Sequence, residues 1–274
     1  MKAAQFDYVR PSDLGNALRL LAERRDGAKL LAGGQSLGPM LNLRLARPQL
    51  LIDIARLEGL RRIEDLGIRW RVGAAVTHSR LEDATLSAAE MLTQVACGIA
   101  HRAVRNRGTI GGSVAHADPA ADWPVALGAL GASVNLRSAG GTRTLSVESV
   151  IRSAFTTALA EDEIIESIDV PKLSSAGRWG YYKFSRKVGD FAEASAAAVF
   201  DPQNGAARLY LGVLRGSPLS LDKLARDVAA RGRAAAARVN VADALSEVAP
   251  TLDSVEQRMA TTVVVRALDQ ALGP

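Results

Sequence analysis

Over the first 57 residues, short apolar runs alternate with helical spacing. Phe6 to Val9 reads as a strand. Ser12 is placed to cap a helix on which Leu14, Ala17, Leu18 and Leu21 recur at three- and four-residue intervals. Asp26-Gly27 stops that helix, and Lys29 to Ala32 reads as a second strand. After Gly33-Gly34-Gln35-Ser36, a short helix passes through Met40 and Leu43 and ends before Pro48. Leu50 to Ile54 completes a small α/β unit. From about residue 58 to 175 the pattern changes. Ile68 to Val72 alternates as a half-buried strand does, and Ser87 to Arg102 carries Met91, Leu92, Val95, Ala96 and Ile99 at helical spacing. A helix runs to about Leu130. Strands are predicted at Ala132 to Leu136, Thr142 to Leu145 and Ile164 to Val170.

Lys172 to Gly177 carries turn residues and marks a boundary. Beyond it, Tyr181 to Ser185, Ala194 to Phe200 and Ala207 to Leu214 read as three strands. The turn Asp201-Pro202-Gln203-Asn204-Gly205 separates the last two. Helical stretches follow near 218–230, 240–248 and 254–271. Strands followed by helices suggest an α+β unit. The expected units are therefore 1–57, 58–175 and 176–274.

Composition narrows the function. Of 274 residues, 48% are apolar and 23% charged, so the chain is neither disordered nor low in complexity. The net charge of +5 is a thin excess of 34 basic over 29 acidic residues, spread along the chain. With 4% aromatics there is little stacking platform for single-stranded nucleic acid, and no nucleic-acid partner is expected. One cysteine, Cys97, excludes an intrachain disulfide and any metal cluster held on this chain's own thiolates. Its place beside the Met91–Ile99 apolar positions suggests a buried thiol. His78, His101 and His116 form no i,i+4 pair, and no metal site is expected. The N-terminus lacks an apolar signal core and no run is long enough to span a bilayer, so a cytoplasmic location is expected.

Two diglycine segments carry the chemistry: Ala32-Gly33-Gly34-Gln35-Ser36 and Thr109-Ile110-Gly111-Gly112-Ser113. Glycines let backbone amides approach a bound group, and successive amides in a turn make an anion-binding concavity. Either loop alone is also compatible with an ordinary tight turn. No Walker loop and no Gly-x-Gly-x-x-Gly fingerprint is present, which argues against a conventional NTPase or dinucleotide domain.

Together the loops resemble a known family. Leu30-Leu31-Ala32-Gly33-Gly34-Gln35-Ser36-Leu37 resembles the first FAD loop of the molybdenum hydroxylase flavoproteins, the medium subunits of the xanthine dehydrogenase and carbon monoxide dehydrogenase family. Val104 to Ser113 resembles their second loop, His116 to Asp122 the segment after it, and Lys187-Val188-Gly189-Asp190-Phe191-Ala192 a third marker. The family often has His where this chain has Gln35 and Asn where it has Ser113. The resemblance implies an α+β fold: a PCMH-type, vanillyl-alcohol-oxidase-like FAD-binding domain of two α/β subdomains, then a C-terminal three-stranded antiparallel sheet with helices.

It also implies roles. The amides of Gly33 to Ser36 and of Gly111 to Ser113 would hold the FAD pyrophosphate, flanked by Leu31, Ala32, Leu37 and Ile110, with Ser36 and Thr109 adding hydroxyls. Lys29 would pair with the cofactor or stand solvated. Ile99 and Ala100 would pack on it, or serve the core. His116 and His78 would donate to it, or be structural. Asp122 would hydrogen-bond to it, while Asp118 would serve only as an N-cap. Phe191 would lie on the isoalloxazine or fill a core. Arg102, Arg105 and Arg107 would balance pyrophosphate charge, face an acidic partner, or end a solvated helix. No catalytic acid/base group is expected on this chain. By resemblance, the FAD takes electrons from [2Fe–2S] clusters on a small subunit, reduced in turn by a large molybdopterin (Mo) subunit. It passes them to NAD, a quinone or oxygen. The assembly would be a heterotrimer or a dimer of heterotrimers acting on an N-heteroaromatic or related small molecule. The alternative is a stand-alone FAD-dependent NAD(P)H oxidoreductase.

Overall fold

The computed structural model describes residues 2–24, 27–214 and 216–273. Asp26, half of the expected helix stop, lies outside them. The chain forms three principal sheets. In the first, Asp7–Val9, Leu50–Asp53 and Ala28–Leu31 pair in parallel, with Leu50–Asp53 central. Parallel neighbours need crossovers, and the helices Leu14–Glu23 and Leu37–Asn42 lie in the two connections. The first helix is capped by Asp13, whose side chain accepts from Asn16 N, rather than by Ser12. The Ser12 hydroxyl instead donates to Asp13 at 2.7 Å. A carboxylate one residue nearer the first turn outcompetes the hydroxyl.

The second sheet is antiparallel throughout, in the order Ile63–Asp65, Arg69–Gly73, Ile164–Pro171, Ser133–Ser138, Gly141–Ser146. The chain between Arg69–Gly73 and Ser133–Ser138 is a run of helices. The long helix expected over 87–102 is two: Glu90–Gly98 and Arg102–Arg105. The break falls at Ile99-Ala100-His101, where Ala100 takes φ 45°. Cys97 is exposed, not buried. On Glu90–Gly98 the buried stripe is Met91, Leu92, Val95 and Ala96, and one further residue turns the side chain about 100° off it.

The third sheet is antiparallel with four strands rather than three: Arg178–Phe184, Ala194–Asp201, Ala206–Val213 and Leu219–Ser220. The short fourth strand pairs with Tyr210 and Leu211, so the next helix starts only at Asp222. Helices Asp222–Arg231, Arg238–Val248 and Ser254–Leu272 follow. Every residue of Ala194–Asp201 is buried. Successive strand side chains point to opposite faces. Ala194, Ala196, Ala198 and Phe200 enter the C-terminal core, and Ala197 and Val199 enter the core of the second sheet. Small residues permit close approach: a Cβ on Gly180 would stand 2.0 Å from the carbonyl oxygen of Ala267.

Candidate functional site

The two glycine loops, some 75 residues apart in sequence, meet in space. A Cβ on Gly33 would stand 2.2 Å from the carbonyl oxygen of Arg107 and 2.8 Å from the Cα of Gly108. No side chain fits there, so glycine is required for the approach itself. Gly34, with φ +70°, then turns the chain into the helix Leu37–Asn42. The backbone amides of Gly33, Gly34, Gln35 and Ser36 donate to no group among the described residues. Ser36 stands at the helix N-cap without using its side chain as a cap, and Gln35 folds back so that Nε2 donates to the Gly33 carbonyl at 3.2 Å. Gln35 and Ser36 are exposed. The first loop is thus a row of donors without an acceptor among the described residues, running from buried Gly33 to exposed Gln35 and Ser36.

The second loop is built differently. Gly111 N donates to the Ala74 carbonyl at 3.0 Å, Gly112 N to Thr109 Oγ1 at 3.1 Å, and Ser113 N to the Thr109 carbonyl at 3.0 Å. Each of these amides has an acceptor inside the protein. Gly111 is needed for packing, since a Cβ there would stand 2.4 Å from that of Ala74. Ile110 is fully buried. The hydroxyl of Thr109 accepts from Gly112 and keeps its own proton for another acceptor. Ser113 is half-buried beside it.

His78 lies beneath this loop. Its amide donates to the Gly108 carbonyl at 2.9 Å, and its ring packs where a Gly108 Cβ would be. Trp123 Nε1 donates to His78 Nδ1 at 3.1 Å, which leaves the imidazole proton on Nε2. Burial, and secondarily the charge of Arg105, pulls the imidazole pKa down to about 4. His78 is a neutral support. His116 stands against Phe155, ring centres 5.1 Å apart, and Asp118 accepts from Ala120 N in a local turn.

Asp122 is buried and already engaged. Tyr181 donates to its Oδ1 at 2.5 Å, and Lys183 Nζ stands 3.0 Å from the same oxygen. Burial first, and the Asp122 charge second, raise the Tyr181 pKa well above its ordinary value. The carboxylate thus joins the Asp122–Leu130 helix to the third sheet. Arg102 and Arg105 are likewise committed: Arg102 pairs with Glu82 and Asp83, and Arg105 with Glu82. Arg107 is exposed, and its carbonyl forms the wall against Gly33. Lys29 stands exposed on its strand.

The third marker reaches the same region. A Cβ on Gly189, at φ +88°, would stand 2.3 Å from His101 Cε1. The 187–191 loop therefore rests on the turn that holds Ile99 and Ala100, both half-buried. Phe191 is 70% exposed, which excludes a core role. Nothing in the sequence marks His101 for this place except adjacency to Ala100; the contact with Gly189 spans the chain.

Residues 4–173 match the family described as the FAD binding domain in molybdopterin dehydrogenase. The chain belongs to this family. It is 40% identical over 225 residues to the 6-hydroxypseudooxynicotine dehydrogenase complex subunit alpha of Paenarthrobacter nicotinovorans, covering 81% of this chain and 76% of that protein. The carbon monoxide dehydrogenase medium chain of Hydrogenophaga pseudoflava is 39% identical over 71% of this chain and 69% of that one. Among solved structures, carbon monoxide dehydrogenase from Hydrogenophaga pseudoflava superposes with a TM-score of 0.91 at 33% identity, over 99% of this chain and 98% of that one. Quinoline 2-oxidoreductase from Pseudomonas putida 86 gives 0.88 at 30% identity, over 99% and 98%. The FAD-binding subunits of the molybdenum hydroxylases thus share this fold along its whole length, and this chain is an oxidoreductase subunit of that kind. The family's cofactor fits the residues present: amides at 33–36 that donate to no group among the described residues, and an exposed Phe191.

Proposed function

We propose that this chain is the electron-transfer subunit of a multi-subunit molybdenum hydroxylase, taking electrons from [2Fe–2S] clusters on a small partner and delivering them to an external acceptor. The observation that carries the reading is the junction of Gly33 with Arg107 and Gly108, beside four amides that donate to no group among the described residues. Bound FAD supplies the redox chemistry; the protein supplies binding, orientation and electrostatics. The amides of Gly33 to Ser36 would hold the pyrophosphate, and the hydroxyls of Ser36, Thr109 and Ser113 would add donors. Lys29, Leu31, Ala32 and Leu37 flank the first loop. Ile99, Ala100 and Phe191 would pack on the flavin ring, with His116 at the far end of the helix Ile110–His116. Ile110, Gly111, Gly112 and Asp122 act through packing. Units 1–57 and 58–175 hold the cofactor, and 176–274 contributes Phe191.

The relatives' names support an assembly of several subunits and an N-heteroaromatic or related small substrate: these relatives are subunits of a 6-hydroxypseudooxynicotine dehydrogenase complex, a nicotine 6-hydroxylase and a caffeine dehydrogenase. No described helix is long and apolar enough to cross a membrane. The test is the absorption spectrum of the purified chain followed by acid release of its cofactor. Released FAD is expected; a chain that takes up no flavin, or releases FMN, refutes the reading. Co-purification with a cluster-bearing small subunit and a molybdopterin subunit tests the assembly.

A further inference from the structure

Arg105 sits inside the turn that walls the proposed flavin site. Its Nε and Nη2 donate to Glu82 at 2.8 and 3.0 Å, and its Nη1 donates to both the Ile99 and Ala100 carbonyls at 3.0 Å. Four of the five guanidinium N–H groups are thereby used. The Arg105 and Glu82 side chains are 12% and 16% exposed. Arg105 in turn holds the Glu82 carboxyl below its usual range. Arg102 ties the same carboxylate to Asp83. Two positive charges face two negative ones, so the cluster has no surplus charge to offer a phosphate. Its product is geometry.

That geometry is unusual. Ala100 holds φ 45°, a left-handed conformation that persists only where the surroundings over-determine it. With both peptide carbonyls gathered onto one guanidinium, the next residue, His101, seats its ring against Gly189. Gly189 lies two residues before the exposed Phe191. We propose that Arg105, anchored by Glu82, is a positioning residue: it sets the Ile99–Ala100–His101 turn against the 187–191 loop and thereby fixes the environment of the flavin ring. The proposal rests on the FAD reading above.

The test uses the full chain loaded with FAD and the substitutions Arg105→Lys and Glu82→Gln. Lysine keeps the charge but cannot fork between a carboxylate and two carbonyls. Glu82→Gln is the milder change and covers the case in which Arg105→Lys fails to fold. FAD affinity should fall less than about tenfold, one hydrogen bond's worth, because the amides at 33–36 are untouched. The visible flavin bands and the midpoint potential should both shift, in the same direction for the two variants. Wild-type bands and potential in a folded variant overturn the proposal. A wild-type chain that takes up no FAD refutes the FAD reading instead.

Discussion

Gly33→Ala is the sharpest perturbation this site allows. The added methyl would stand 2.2 Å from the Arg107 carbonyl oxygen, 2.8 Å from its carbon and 2.8 Å from the Gly108 Cα. All three atoms are backbone, so no rotamer change relieves the clash. Reaching even 3.0 Å requires the loops to part by about 0.8 Å. Overpacking of this kind costs roughly 1–3 kcal/mol, which a domain of ordinary stability survives. The parted loop displaces the 33–36 amides from the bound pyrophosphate. Losing one charge-assisted hydrogen bond costs about 1.5–3 kcal/mol, or roughly a 10- to 100-fold rise in the FAD Kd. Titrating the apo chain with FAD by flavin fluorescence, alongside urea unfolding, measures both quantities. Gly38→Ala is the control: a Cβ there meets nothing within 4 Å, so affinity should hold and stability should hold or rise. A Gly33→Ala chain with wild-type Kd and unfolding midpoint refutes the loop contact.

Three further outcomes are expected. His78 ionises at an ordinary 6.5 in the unfolded chain but only at about 4 when folded, because it is buried. Its contribution is complete above pH 6.5 and declines as the pH falls toward 4, by about 3 kcal/mol over that window. Urea unfolding at pH 7 and 4.5 should show a larger loss for wild type than for His78→Phe, and equal losses would contradict this. Asp122→Asn leaves Lys183, 14% exposed, without its counter-charge, and should cost about 3–5 kcal/mol. Adding Lys183→Met should recover part of it in a double-mutant cycle, and additive losses would contradict the pairing. Phe191→Ala removes an exposed side chain and should change stability by under about 0.5 kcal/mol while shifting the flavin bands. A large drop in melting temperature with unchanged bands would return Phe191 to a structural role.

Local chemistry was legible along the chain. The helix on Ala17, Leu18 and Leu21, the turn at 201–205 and the strand runs of the third sheet follow from spacing and turn residues alone. The two glycine loops were legible as candidate cradles, but not the division of labour between them. Whether an amide is free depends on what lies opposite: Ala74 takes the Gly111 donor, and no group among the described residues takes those at 33–36. Periodicity also ran one helix through Ile99 and Ala100, because apolar spacing does not register a left-handed residue held by Arg105.

By itself, the sequence determined many of the strands and helices and the glycines at both loops. These properties belong to single residues or to neighbours within a few positions. Only the tertiary structure decided which of them face each other: Gly33 on Gly108, His101 on Gly189, and Asp122 between Tyr181 and Lys183. In Ala194–Asp201 every residue is buried, so the pattern of apolar residues cannot assign its faces. Packing against two different cores assigned them. Contacts between segments tens of residues apart arise from how whole sheets and helices stack, and no local pattern along the chain encodes that.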